Sequence, residues 1–371
     1  MSIVTRKMGK TLFFGLLLIL IFTLAACSSD SAQGDSDDGG DLGENPTLEE
    51  LLPLAQEEGE VISVGMPDNW ANWKDTWADL KSKYDIEHTD TDMSSAEELA
   101  KFENEKNNAP DIGDVGISFG PIAEEKGLTA KYKTEYWDDV PDWAKDDDGD
   151  WMVGYTGSIA FLCNNTLVDT CPKSWEDVKN GDYKISVGDV TKASQAQYGV
   201  LAASFAYGGD ETNLQPGLDF FAELAEQDRV SKVDVLVPNI QKGEVEVALL
   251  WDFNALGYRD ELDAEKFDVH IPVDGSVISG YASVINSNAS NPNAAKLARA
   301  YIFSDEGQIN LAKGYARPIR TNVELPDDVA SLLIDNDEYA KAMPVNDFEA
   351  WENTIKELPQ LWLEQVQAKV K

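Results

Sequence analysis

From Glu60 to Leu128 short apolar segments alternate with amphipathic ones, and this alternation restricts the possible folds more than any other feature of the chain. "EVISVGM" (60–66), "DIEHTDTD" (85–92) and "PDIGDVGI" (110–117) read as strands. Between them, "PDNWANWKDTWADLKSKY" reads as a helix from Pro67 and Asp68, with Trp70, Trp73 and Trp77 at helical spacing. "SSAEELAKFENEKNN" has Ser94 or Ser95 as its cap and acids in its first turn, and "GPIAEEKGL" stops at Gly127. Strands separated by helices imply a mainly parallel sheet with helices over its faces. Ligands of such sheets sit beyond the carboxyl ends of the strands. That rule points to the loops Pro67–Trp70 and Ser118–Gly120. The tryptophan stripe is core packing, and Trp70, nearest the strand end, is the one placed to face a cleft.

A helix, "PTLEELLPLAQEEG" (46–59), precedes this block, and a second α/β block follows it. "YTGSIAFLCN" and "KISVGDV" read as strands, "SWEDVKNGDY" as a short helix and turn. "TKASQAQYGVLAASFAYGG" and "LQPGLDFFAELAEQ" read as helices. "VEVALLWDFNALGYRDEL" passes from a buried strand into a helix, and "FDVHIPVDGSVISGYASVINS" alternates like a hairpin or a pair of strands. "NPNAAKLARAYIFSDEGQINLAKGY" supplies two helices, with Asn291, Pro292 and Ser304 at their starts, and "FEAWENTIKELPQLWLEQVQAKV" a last one. No internal repeat is present.

Arg6, Lys7 and Lys10 precede the apolar run "TLFFGLLLILIFTLA", which is shorter than the ~20 residues a spanning helix needs. Basic start, apolar run and small residues make an export signal over 1–26. "LAAC" resembles the lipobox of bacterial lipoproteins, and the resemblance implies lipid attachment at Cys27. Residues 27–46 hold Ser, Gly and Asp but little apolar surface, so they read as a flexible acidic tether. The formal net charge of −38 excludes nucleic acid as a partner and a polybasic membrane patch. Outside the cytoplasm Cys163 and Cys171 are expected to pair as a disulfide, the alternative being two buried thiols.

"EEGEVISVG", "AKFENEKNNAPDIGDVG", "VALLWDFNAL" and "NPNAAKLARAYIFSDEGQINLAKGYARPI" occur in this order. The set resembles the family 1 extracellular solute-binding proteins of ABC importers, in their ferric-ion, polyamine and phosphonate or sugar-phosphate branches. The resemblance implies a two-lobe periplasmic-binding-protein-like α/β fold joined by crossing hinge strands, near Tyr155–Ser158 and Val277–Ser283. Lobe one would be 47–155 with 283–318, and lobe two 158–276 with 319–371. It implies a monomeric receptor without cofactor or metal, held to a membrane by its lipid on the extracytoplasmic side. That membrane surface is the outer face of the cytoplasmic membrane or lies in the periplasm. The partners would be a permease with its ATPase, and the cargo a small charged solute.

Three ligand classes stay open. The ferric branch uses adjacent tyrosines where this chain has Asp252 and Phe253, which removes the anionic oxygens that hard iron needs. An organic cation would meet the aromatic walls Trp70, Tyr155, Trp251 and Tyr281 and the carboxylates Asp68 and Asp252, with Asn69 beside them. A phosphonate or phosphate ester would meet Lys192, Ser194 and Gln195, where a strand ends and a helix begins. Ser118, Phe119, Thr156 and Asn254 complete the candidate binding residues.

Two motifs compete with this reading. "GISFG" (116–120) fits G-x-S-x-G, with Asp252 and His270 downstream in nucleophile–acid–base order, and would make a surface α/β hydrolase. No oxyanion loop of the H-G-G-G type precedes it, and His270 sits in a strand pattern. "DDDGD" (146–150) lacks the carboxylate or amide two residues upstream that a calcium loop needs, since Ala144 stands there, and reads as an acidic turn. His88 and His270 form no metal motif. A structural or adhesive surface lipoprotein is the remaining class, and the regular α/β pattern argues against it.

Overall fold

The computed structural model describes residues 43–105 and 108–371. The expected export signal, Cys27 and all but the end of the tether lie outside the described residues. Helix α1 (Leu48–Glu58) opens on a reciprocal cap: Thr47 Oγ accepts from the Glu50 amide, and Glu50 accepts from the Thr47 amide at 2.8 Å. Gly59 closes it at φ 78°, a conformation that a residue without Cβ adopts cheaply. Then come β1 (Glu60–Val64), α2 (Trp73–Tyr84), β2 (Glu87–Thr91), α3 (Ser95–Asn104), β3 (Ile112–Gly116) and α4 (Phe119–Glu125). β1 lies between β2 and β3, parallel to both.

Helix α2 starts at Trp73, not at Pro67. Ala71 and Asn72 take φ of 47° and 58°, which a continuous helix cannot accommodate. Asn72 Nδ2 donates to the Asn310 carbonyl at 2.9 Å, and a Cβ on Gly314 would lie 2.5 Å from Ala71. A partner some 240 residues away therefore sets this turn, and Trp70 is released from the helix.

The second half contains β4 (Trp151–Asn164), α5 (Trp175–Asn180), β5 (Ile185–Ser186), α6 (Ser194–Ala206), α7 (Gln215–Glu226), α8 (Val237–Gln241), β6 (Val247–Trp251), α9 (Asp252–Leu262), β7 (Phe267–His270) and β8 (Ser276–Ile285). After these come α10 (Pro292–Phe303), α11 (Asp305–Lys313), β9 (Arg317–Pro318), α12 (Asp327–Ala330), β10 (Ala342–Pro344) and α13 (Phe348–Gln365). Strand order is β2-β1-β3-β8-β4-β6-β5.

Parallel pairing holds at the two ends of this path, whereas β8 runs antiparallel to both β3 and β4, and β4 antiparallel to β6. The result is a mixed α/β architecture of sheet with flanking helices. The cause is β4, fourteen residues long and buried along its length except at Thr156. Its first part pairs with β8, from Trp151↔Val284 to Ser158↔Ile278, and its second part with β6 and β7. Segment 267–287 is accordingly two separate strands rather than a hairpin, since β7 and β8 occupy different stretches of β4.

A disulfide joins Cys163, near the end of β4, to Cys171. Helix α13 packs on α7 and α6 through Trp362 against Phe221 (centroids 5.4 Å apart) and Trp351 against Tyr198 (5.1 Å). Among the described residues no helix is long and apolar enough to cross a membrane.

Candidate functional site

The carboxyl ends of β1, β2 and β3 open onto a cavity of about 420 Å³. One wall is Gly65, Asp92, Met93, Ser94, Ser95, Glu98 and Asp114, from the strand ends and the start of α3. The facing wall is Lys192, Ala193, Ser194 and Gln195 at the start of α6, with Leu236. Trp70, Phe119 and Tyr281 supply the aromatic surface. The two helix starts meet across Gly116. Its amide donates to Ser95 Oγ at 3.0 Å, and a Cβ there would lie 3.0 Å from Ser194 Oγ.

Beneath the aromatic surface runs a chain of hydrogen bonds. Trp70 Nε1 donates to the Tyr155 hydroxyl at 2.7 Å, and that hydroxyl donates to Asp114 Oδ2 at 2.6 Å. Trp251 Nε1 donates to the Tyr281 hydroxyl at 3.1 Å. Trp70 meets Tyr281 and Phe253 edge-on, each at 5.4 Å between centroids. Burial pushes the Asp114 carboxyl up to about 8, against the lowering effect of the Tyr155 hydroxyl. Glu98, 1% exposed, accepts the Asp114 amide at 3.1 Å through Oε2. Burial, reinforced by the Asp114 charge, holds Glu98 well above the usual carboxylate range. Glycines make room for it: a Cβ on Gly65 or Gly113 would lie 2.3 or 2.7 Å from a Glu98 carboxylate oxygen.

The α6 wall has the opposite character. Ala193 stands at the cap position and gives no side-chain cap, and no acid occupies the first turn. The Gln195 side chain turns away, its Oε1 accepting from the Trp251 amide at 2.9 Å and from Asn254 Nδ2 at 3.3 Å. The first-turn N–H groups are thus left with the partial positive charge of an open helix start, beside the Ser194 hydroxyl and the exposed Lys192 ammonium, which pairs with Asp189 at 3.3 Å. Such a wall can hold negatively charged oxygens, and the carboxyl wall can hold donors.

Of the residues singled out in the sequence, Trp70, Phe119, Lys192, Ser194, Gln195 and Tyr281 line this cavity. Asp68, Asn69 and Asn254 line a separate crevice of about 400 Å³ with Phe253 and Tyr315. Tyr155, Trp251 and Ser118 are buried behind the lining. Thr156 faces Arg317 of β9.

Asp252 is a correction. Its Oδ1 accepts from the amides of Ser158 (3.0 Å) and Phe253 (2.9 Å), and its Oδ2 accepts from the Tyr339 hydroxyl. It is 1% exposed, so it braces β4 against α9 and offers nothing to a ligand. The same bonds leave it no link to His270, and a Ser118–His270–Asp252 relay is not assembled. The carboxyls of Asp92, Glu98 and Asp114 escaped the sequence reading. The strand-end rule also covers the end of β2, where the "TDMSS" segment carries Asp92 to Ser95.

The profile of the bacterial extracellular solute-binding proteins matches residues 107–342. The chain belongs to that family. Members of this family bind substrates and are not enzymes. The sulfate-binding protein of Escherichia coli K12 is 25% identical over 179 residues, 44% of this chain and 52% of that protein. The chain thus spans about half the length of the curated relatives it matches. Among solved structures, the periplasmic binding protein AfuA of Actinobacillus pleuropneumoniae, with fructose-6-phosphate bound, superposes with a TM-score of 0.67 at 19% identity. It covers 83% of this chain and 98% of that one. The ferric binding protein of Campylobacter jejuni gives 0.63 at 19% identity, over 82% and 98% of the two chains. These similarities identify the periplasmic-binding-protein fold.

Proposed function

We propose that this solute-binding protein is a lipid-anchored receptor, fixed by Cys27 outside the cytoplasm, that captures a small oxyanion and hands it to the permease of an ABC importer. Residues 47–155 with 283–318 make one lobe and 158–276 with 319–371 the other. They turn about the paired stretches of β4 and β8 near Tyr155–Ser158 and Val277–Ser283, the motion by which binding proteins of this architecture close. The observation that carries the ligand class is the uncapped start of α6 opening, with Ser194 and Lys192, onto the cavity. The sulfate-binding relative and the sugar-phosphate-bound neighbour agree with an oxyanion. Direct capture of ferric iron lacks support, because Asp252 is occupied inside the fold and Phe253 has no ligand atom.

A thermal-shift series tests this. A ligand that binds only the native state at a hundredfold excess over Kd stabilises by about 2.7 kcal/mol. Phosphonates, phosphate esters or sulfate are expected to raise Tm, with ferric citrate and spermidine inert. A rise with spermidine or ferric citrate and none with any oxyanion overturns the reading.

A further inference from the structure

Resting on that oxyanion reading, we infer that the ligand is a zwitterion, its oxyanion at the start of α6 and an ammonium group against Glu98 and Asp114. The two walls of one cavity have opposite chemistry. Glu98 and Asp114 are 1% and 3% exposed and both line it. Each has one oxygen held by the protein, Glu98 Oε2 by the Asp114 amide and Asp114 Oδ2 by the Tyr155 hydroxyl. Among the described residues the hydrogen bond to Glu98 reaches Oε2, and Oε1 lies beside Gly65 of the cavity lining, 2.3 Å from where a Cβ on that glycine would stand. Asp92 adds a third carboxylate at the mouth.

A buried carboxyl without a cation is costly, and a ligand ammonium removes that cost with charge-assisted hydrogen bonds. The raised affinity of both groups for a proton is the same deficit of positive charge seen from the acid side. Trp70 and Tyr281 present aromatic surface beside them, which suits an ammonium better than a hydroxyl. Strand geometry sets the ligand length. Asp114 and Gly116 lie two residues apart on one face of β3, about 7 Å. Ser194 Oγ lies against Gly116. The charged ends are therefore joined by a short linker of a few atoms, and the lobe that carries β3 would read the amine while the lobe that carries α6 reads the oxyanion.

Titration calorimetry on the full chain distinguishes the outcomes with five probes: 2-aminoethylphosphonate, its N-acetyl derivative, ethylphosphonate, 4-aminobutyrate and putrescine. At least one of the two zwitterions is expected to bind about tenfold or more tighter than ethylphosphonate and N-acetyl-aminoethylphosphonate. In Glu98→Gln and in the exposed-site variant Asp92→Asn that ratio falls toward one, more steeply in the first. Whether phosphonate or carboxylate is preferred tells which oxyanion α6 takes. Equal or tighter binding of ethylphosphonate or the N-acetyl compound overturns the zwitterion while the oxyanion reading stands. Binding of putrescine alone, or of no probe that carries an oxyanion, overturns both.

Discussion

Tyr155 and Tyr281 stack in a parallel, offset arrangement where β4 and β8 run side by side, with centroids 5.7 Å apart and ring planes 9° apart. The pair joins the strands that link the two halves of the sheet path, and it forms the base of the cavity wall. Tyr155 is the hydrogen-bonded member, placed between Trp70 and Asp114.

Removing that hydroxyl strands two partners at once. Tyr155→Phe is expected to destabilise the chain by about 1–3 kcal/mol, because a half-buried indole N–H and a buried carboxyl oxygen lose their bonds. Tyr281→Phe loses only the bond from Trp251 and is expected to cost less. Urea unfolding with an unchanged slope checks this. Equal costs would mean that the Trp70–Tyr155–Asp114 chain contributes nothing beyond packing.

Gly65→Ala tests the seat of Glu98. The position has φ 70°, and the new Cβ would lie 2.3 Å from Glu98 Oε1. Gly127→Ala is the control, with φ 64° and no atom within 4 Å. The control is expected to cost the left-handed penalty alone, about 1–2 kcal/mol. Gly65→Ala is expected to cost more and to weaken ligand binding, since Glu98 must move. Indistinguishable melting curves for the two variants would show that the carboxyl has room to shift.

The carboxyl wall also predicts a pH dependence. Asp114 binds its proton more tightly in the folded chain, at about 8 against 3.8. Its contribution is complete below the unfolded value and is lost as pH rises through about 8. Glu98 acts in the same direction. Burial depresses His88 to about 4, so above pH 7 its ring is neutral in both states and offers no compensation. Stability is therefore expected to fall between pH 7 and 9, by at most about 1.4 kcal/mol per pH unit for each group. Asp114→Asn is expected to flatten the slope without abolishing it. Denaturant melts across that range give the answer, and an unchanged slope in Asp114→Asn refutes the assignment.

Cys171→Ser opens the loop closed onto β4. Chain-entropy estimates for a loop this short give about 2.5 kcal/mol. The expected loss is of that order, with one thiol newly labelled by iodoacetamide after unfolding. Labelling of Cys163 and Cys171 in the unreduced native sequence would show that the bridge does not form.

Local physics made much of the fold legible. Gly59 and Gly127 stop helices, Ser94 pairs with Glu97 in a capping box, and Trp73 and Trp77 turn into the core. Each follows from a few neighbouring residues. The candidate site was legible at the start of α6, where Lys192–Gln195 line the cavity, although β5 ends at Ser186 and a turn separates the two. It was misread at Asp252, whose three donors come from β4, from α9 itself and from Tyr339, far along the chain. No local pattern distinguishes a carboxylate facing a cavity from one filled by distant donors.

Sequence alone determined the alternation of strands and helices, the family and the helix start that can hold an oxyanion, because these depend on period, caps and contiguous motifs. Only the tertiary structure decided that Ala71 and Asn72 break the first tryptophan helix, that β4 and β8 lie antiparallel, and that Glu98 and Asp114 share a cavity with Ser194. Those facts rest on contacts between residues tens to hundreds of positions apart, and burial by such contacts is what gives a carboxyl or an amide its task.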